Sequence, residues 1–410
     1  MTVQKGAKLL ALAVLIVVSG YAPASAQISD GVVKIGVLND MSSLYADLSG
    51  KGSVIAAQMA AEDFGGKVWD KPIDIISGDH QNKPDIGAGV ARRWIDSQQV
   101  DAIADVPTSS VALAVQEVTR QKKRIFLMSA AGSSDLTGKA CSPYGFQWTY
   151  DTYALAHGTG GSIVKQGGNS WFFITANYAF GHALMRDTSD AVTAAGGKVL
   201  GSVNVPQNTH DFSSFLLQAK ASKAKVIGLA NAGGDTINSI KQASELGIVA
   251  GGQKLAGLFV FITDVHSLGL KVAQGLTITS AWYWDNDDAS RAFANRFMAR
   301  NPNGLPPTYT QAGVYSAVTH YLKAIKAAGT DDADKVSAEM RALKVNDFMT
   351  KDGWIREDGR IMRDMYLEEV KSPEQSKYPF DYFKLLATIP AEQAFRPLKD
   401  GGCPRLQKRR

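Results

Sequence analysis

The residues best suited to chemistry stand together at Val106-Pro107-Thr108-Ser109-Ser110, where two hydroxyls follow a proline at a predicted helix start. The first amides of a helix have no partner within it, and the dipole favours negative charge there, so Ser109 and Ser110 could hold a carboxylate. An ordinary N-cap uses the same residue types, and both readings stand on these residues alone. Ser129, Ser133 and Ser134 add hydroxyls nearby, with Gly132 allowing the backbone to come close.

Aromatic residues form a second group. Trp148, Tyr150, Tyr178, Phe180, Trp282, Tyr283 and Trp284 all fall at predicted strand ends or crossings. They serve either as core or as a cage for a flat apolar body, in which ring pairs add about 0.5–1.5 kcal/mol beyond burial. A cage with Asp285 beside it would also suit a quaternary ammonium group.

Catalytic and metal chemistry find little support. His80, His157, His182, His210, His266 and His320 are scattered without ligand spacing. Between Gly132 and Lys139 the glycine spacing is one residue too long for a phosphate loop, and Ala140 stands where a hydroxyl would hold magnesium. No Gly-x-Ser-x-Gly elbow occurs. Asp285-Asn286-Asp287-Asp288 reads as a calcium loop or a helix cap, and it lacks the ligand series and terminal Glu of the former. No catalytic residue, metal or cofactor is therefore expected.

These side chains need a scaffold, and the hydrophobic pattern supplies one. Strands are predicted at 32–38, 73–76 and 100–104, with helices at 53–64 and 88–97 between them. A second series follows: strands at 170–175, 199–205 and 226–230, helices at 181–195, 212–222 and 236–246. Alternation at this spacing predicts parallel sheets covered by helices on both faces, and two series predict two lobes. Donors at the carboxyl ends of parallel strands are where open α/β sheets hold ligands. Helices at 289–300 and 309–328 then return to the first lobe, and a tail with a strand at 365–370 returns to the second. The expected division is 27–149 plus 281–356 for lobe 1, 150–280 plus 357–398 for lobe 2, and a tail over 399–410. Three crossings make a hinge that can bend while each lobe stays rigid.

Composition agrees with a globular α/β chain: 410 residues, 45% hydrophobic and 20% charged. Lys5 and Lys8, the apolar run Leu9 to Val18 and Ala24-Ser25-Ala26 read as an export signal cleaved after Ala26. That run is shorter than the ~20 residues a membrane span needs. The net charge of +5 gathers partly in the signal and in Lys408-Arg409-Arg410, which argues against nucleic acid as a partner. The two cysteines, Cys141 and Cys403, suit a disulfide in an exported chain, with two buried thiols as the alternative.

Over residues 30 to 400 the chain resembles the periplasmic substrate-binding proteins of ABC importers, of the branched-chain amino acid-binding type. The segments that carry the resemblance are Lys34 to Ser42, Val106 to Ser110, Phe126 to Gly132, Asn177-Tyr178-Ala179-Phe180-Gly181 and Tyr309 to Tyr315. The resemblance implies the bilobal type I periplasmic binding protein fold, a small-molecule ligand, a membrane permease as partner and no enzymatic activity. It implies that Ser109 and Ser110 hold a ligand carboxylate, that Ala130 and Gly132 offer backbone to the other polar end, and that Phe180 and Tyr150 close over the ligand. Relatives place an acidic residue against a ligand ammonium, but the matching stretch Ala256-Gly257-Leu258-Phe259-Val260 has none, and Phe259 takes that slot. Burying an unpaired ammonium is expensive. The expected ligand is therefore a small organic acid, an aromatic carboxylate whose ring is held by Phe180, Tyr150 and Trp284. The alternatives are an amino acid or amide ligand, a sensor on the same fold, and a secreted hydrolase. A periplasmic monomer is expected.

Overall fold

The computed structural model describes residues 1–2 and 27–407. The core of the expected export signal, its cleavage point and the terminal Lys408-Arg409-Arg410 lie outside the described residues.

The first sheet contains β1 (Val33–Asn39), β2 (Lys67–Val68), β3 (Lys71–Asp79), β4 (Ala102–Asp105), β5 (Ile125–Met128) and β6 (Gly145–Gln147), in the order β2-β3-β1-β4-β5-β6. All its pairs are parallel except β2 with β3. β4 and β5 are buried along their whole length, because helices cover both faces of such a sheet. β1 lies between β3 and β4, so strand order reverses at its carboxyl end. That reversal opens a crevice between the loops, the usual ligand position in open α/β sheets.

The second sheet repeats the plan with β7 (Ser170–Ala176), β8 (Lys198–Val205), β9 (Val226–Ala230) and β10 (Lys254–Gly257), all parallel in the order β10-β9-β7-β8. β7 is its switch strand, and its end runs into Asn177-Tyr178-Ala179-Phe180. The architecture is thus two doubly wound lobes.

β11 (Thr277–Ser280) leads out of the second lobe, and beyond it the contacts change sides. Asp287 accepts from the Ser290 amide and caps the helix Asp288–Met298, whose Arg296 pairs with Asp63 on the helix Gly50–Asp63. The Asp-rich stretch is therefore a helix cap. The helix Tyr309–Ala328 opens with a capping box, in which Thr308 accepts from the Gln311 amide and Gln311 accepts in return from the Thr308 amide. β12 (Trp354–Ile355) and β13 (Ile361–Met362) form a hairpin that straddles the expected boundary at residue 357, and its Gly359 carbonyl accepts from Gln147 of the first lobe. β14 (Met365–Val370) then pairs antiparallel with β11 on one side and with β15 (Phe383–Ile389) on the other.

A disulfide joins Cys141 to Cys403 and pins the C-terminal tail to the first lobe. No helix among the described residues is long and apolar enough to cross a membrane.

Candidate binding site

The floor of the crevice is built on Asp105. This carboxylate at the end of β4 is fully buried and accepts from Ser49, from Ser129 at 2.8 Å and from Asn39 at 3.2 Å, so one group ties together the ends of β1, β4 and β5. Burial pushes its proton affinity up, and the hydrogen bonds oppose that. Asp105 and Val106 both have left-handed backbone, with φ of +82° and +56°, a strained conformation for a β-branched residue. The Val106 amide donates to the Leu38 carbonyl at 3.0 Å and holds the turn. What the turn achieves is to aim the start of the helix Ser109–Lys122 at the crevice.

Thr108 occupies the N-cap of that helix without capping it. Its hydroxyl donates instead to Asn82, which in turn donates to Asp40 at 2.7 Å. No side chain therefore caps the first-turn amides, and the helix start keeps its capacity for an anion. Ser109 is buried and accepts from the Ser133 amide at 3.1 Å, while Ser110 is partly exposed beside it.

Rings from both lobes meet above this floor. The Tyr150 hydroxyl donates to the Ala130 carbonyl. A Cβ on Gly132 would come within 2.8 Å of both Tyr150 and Phe180, so only glycine lets these rings close on the strand end. Phe259 touches Tyr150 and Phe180, with centroids 4.8 and 5.0 Å away, and meets Phe261 edge-on at 4.6 Å. Tyr309 stacks on Phe261 at 4.4 Å and stands edge-on to Tyr150 at 5.4 Å. At the rim, the hydroxyls of Tyr45 and Tyr178 lie 2.5 Å apart, and Gln207 donates to Tyr45 at 3.1 Å. Burial pushes the Tyr45, Tyr150, Tyr178 and Tyr309 hydroxyls upward, which keeps them neutral.

The structure therefore brings together Ser109, Ser110, Ala130, Gly132, Tyr150, Phe180 and Phe259. Trp284 stands apart: its indole donates to the Phe380 carbonyl at 3.1 Å, next to Tyr283. Residue patterns did not single out Asp105, Tyr45, Phe261 or Tyr309 as site residues. An acid at the end of an apolar strand is the one signal that could have found Asp105; Phe261 and Tyr309 carry no such signal, because their contact depends on docking of the lobes.

Residues 32–377 match the family model described as periplasmic binding protein. The chain belongs to this family. The periplasmic binding protein from Burkholderia mallei is 51% identical to it, with 91% of this chain and 99% of that one covered and a TM-score of 0.89. A branched-chain amino acid ABC transporter periplasmic ligand-binding protein from Burkholderia xenovorans is 42% identical, with coverage of 91% and 99% and a TM-score of 0.81. An ABC transporter solute-binding protein from R. palustris, solved in complex with benzoate, shares the fold with a TM-score of 0.80, coverage of 91% and 100%, and 21% identity. Periplasmic binding proteins of this type are the solute-capturing components of ABC transporters rather than enzymes, and this chain shares their family and fold.

Proposed function

We propose that this periplasmic binding protein captures a small aromatic carboxylate between its lobes and delivers it to a membrane permease. One observation carries the reading: Tyr150, Phe180, Phe259, Phe261 and Tyr309 form a continuous wall, and in this reading Phe259 takes the slot that the family resemblance gives to an acid. In this reading the carboxylate rests on Ser109, Ser110 and the uncapped amides of their helix, and the ring packs on Phe180 and Phe259. The benzoate complex of the R. palustris protein supports the idea that the same fold accommodates such an acid. Closure follows from contacts made with both lobes only in the shut state, since a ligand shifts an equilibrium by its differential affinity. The lobes in this proposal exchange chain near residues 149, 281 and the link from β13 to β14. The protein acts as a monomer, exported by a signal cleaved after Ala26.

Calorimetry with benzoate, 4-hydroxybenzoate and leucine tests the proposal. Binding of the aromatic acids, with a rise in Tm at saturation, is expected. Leucine binding while the aromatic acids leave the protein unchanged would overturn it. A branched-chain amino acid ligand is the second reading, favoured by the description of the B. xenovorans relative at 42% identity.

A further inference from the structure

Tyr150, which stands in the ring wall, is held from behind by a residue 210 positions later in the chain. Arg360 is fully buried, and its Nη1 donates to the Tyr150 carbonyl at 2.8 Å while its Nε donates to the Ile361 carbonyl at 3.1 Å. The guanidinium lies 4.5 Å over the Phe395 ring. A close approach of backbones brings it there: at Gly359, with φ of +90°, a Cβ would lie 2.1 Å from the Gly145 carbonyl, so only glycine lets the hairpin seat against β6. The Gln147 amide then donates to the Gly359 carbonyl at 2.9 Å and fixes the hairpin to the first lobe.

The arrangement is costly for the charge. Burial pulls the guanidinium down to about 10, still charged at neutral pH, with Asp151 and Asp358 opposing the shift and Arg356 and Arg363 adding to it. Asp151, at 3.8 Å from Nη1, stands beyond hydrogen-bonding distance, and Asp358 pairs with Arg356 and accepts the Arg360 amide at 3.1 Å. Nη2 has no partner. An apolar side chain of similar volume would fill this space without the desolvation cost, so packing alone does not account for an arginine here. What an apolar chain cannot do is hold the crossing. Arg360 fixes the Tyr150 backbone and the Ala130 carbonyl receives the Tyr150 hydroxyl, so the residue is tethered at both ends and its ring has one place to stand.

We propose that Arg360 is a positioning residue for ligand capture that acts through Tyr150, setting the first crossing between lobes so that the ring stands against Gly132 and Phe259. The inference rests on the reading that the ligand binds in the crevice, and it holds for an aromatic or an aliphatic guest. The planar fork of an arginine reaches the Tyr150 and Ile361 carbonyls at once while its face lies on Phe395. Lysine, a point charge on a flexible stem, cannot hold both in one plane.

Crystal structures of ligand-free variants and a mutant cycle on affinity test this together. In Arg360→Met the Tyr150 ring should leave its place beside Gly132, with Arg360→Lys between it and the wild type. Phe395→Leu, which takes away the ring face under the guanidinium, is read for the same displacement if neither folds. Calorimetry with whichever of benzoate, 4-hydroxybenzoate and leucine the wild type binds should show Arg360→Met weaker by about tenfold or more. In a Tyr150→Leu background the same change should alter affinity by less than about twofold, because residues that act as a unit are not additive. A Tyr150 ring that keeps its place in the variants overturns the proposal, and so does an affinity loss that persists in full without the ring. Leucine binding in place of the acids removes the aromatic reading of the ligand and leaves Arg360 judged by the same cycle. The ring position is read without ligand, so it decides the matter if none of the three binds.

Discussion

At Gly132 the absence of a side chain decides whether the two lobes can shut. Its neighbours cannot easily retreat: the Tyr150 hydroxyl is bonded to Ala130, and Phe180 is wedged against Phe259. A Cβ would come within 2.8 Å of both rings, and overpacking of this kind costs about 1–3 kcal/mol. The clash with Phe180 exists only when the lobes are closed, whereas Tyr150 lies beside this strand end in either state, so Gly132→Ala should weaken the best aromatic acid about tenfold or more by calorimetry and also lower the ligand-free Tm. Equal affinity would mean that the rings do not close on this strand end. Glycine and serine after an apolar strand made this turn legible in the sequence. The strained pair Asp105 and Val106 was not, since nothing in residue type announces positive φ at an aspartate and a valine. Phe261 and Tyr309 were hidden for another reason. Their contact joins segments 48 positions apart that meet only through docking of the lobes.

At the level of elements, the antiparallel pair β11 and β14 carries an unusual group. Glu368 is fully buried on β14, with one carboxyl oxygen unpartnered, and burial pushes it up to about 8. An unfolded glutamate titrates near about 4.3, so the folded state retains a proton that the unfolded chain releases. Stability from this group therefore falls as pH rises from about 4.3 to about 8, by on the order of 1 kcal/mol per pH unit, and levels off above that window. Asp264, pushed up to about 7 by burial, slopes the same way. Glu368→Gln keeps the shape and removes the titration, so urea midpoints at pH 5, 6.5 and 8 should fall less steeply than in the wild type. Identical slopes would show that Glu368 does not retain its proton. Elements with a strong apolar period were legible: 226–230, 309–328 and 365–370 are strand, helix and strand as read. The π-helix Ala156–Gly160 was not, because His157, Gly158 and Thr159 give no periodic signal and the backbone there is shaped by packing on Thr279.

Across the whole molecule, two kinds of long-range tie act on different equilibria. The Cys141–Cys403 bridge, whose ends are separated by 262 positions in sequence, restrains the unfolded chain and pins a tail remote from the crevice. Cys403→Ser should therefore cost about 2–5 kcal/mol of stability in denaturant melts while leaving ligand affinity unchanged. The pairing could be read from cysteine count and export signal; the contacts that shut the lobes could not. Tyr45 comes from the loop after β1 and Tyr178 from the end of β7, and their hydroxyls meet at 2.5 Å only because both switch points face one crevice. Gly233 completes the contact, since a Cβ there would lie 2.5 Å from the Leu44 carbonyl. Tyr178→Phe removes the hydroxyl pair and leaves the ring, while Gln207 still donates to Tyr45. One buried hydrogen bond is worth about 0.5–1.5 kcal/mol, so the closed population, and with it the apparent affinity, should fall about two- to tenfold. The loss belongs to closure and not to ligand contact if the ligand-free protein also expands, which small-angle scattering reads as a larger radius of gyration. Weaker binding with unchanged scattering would instead place Tyr178 on the ligand itself.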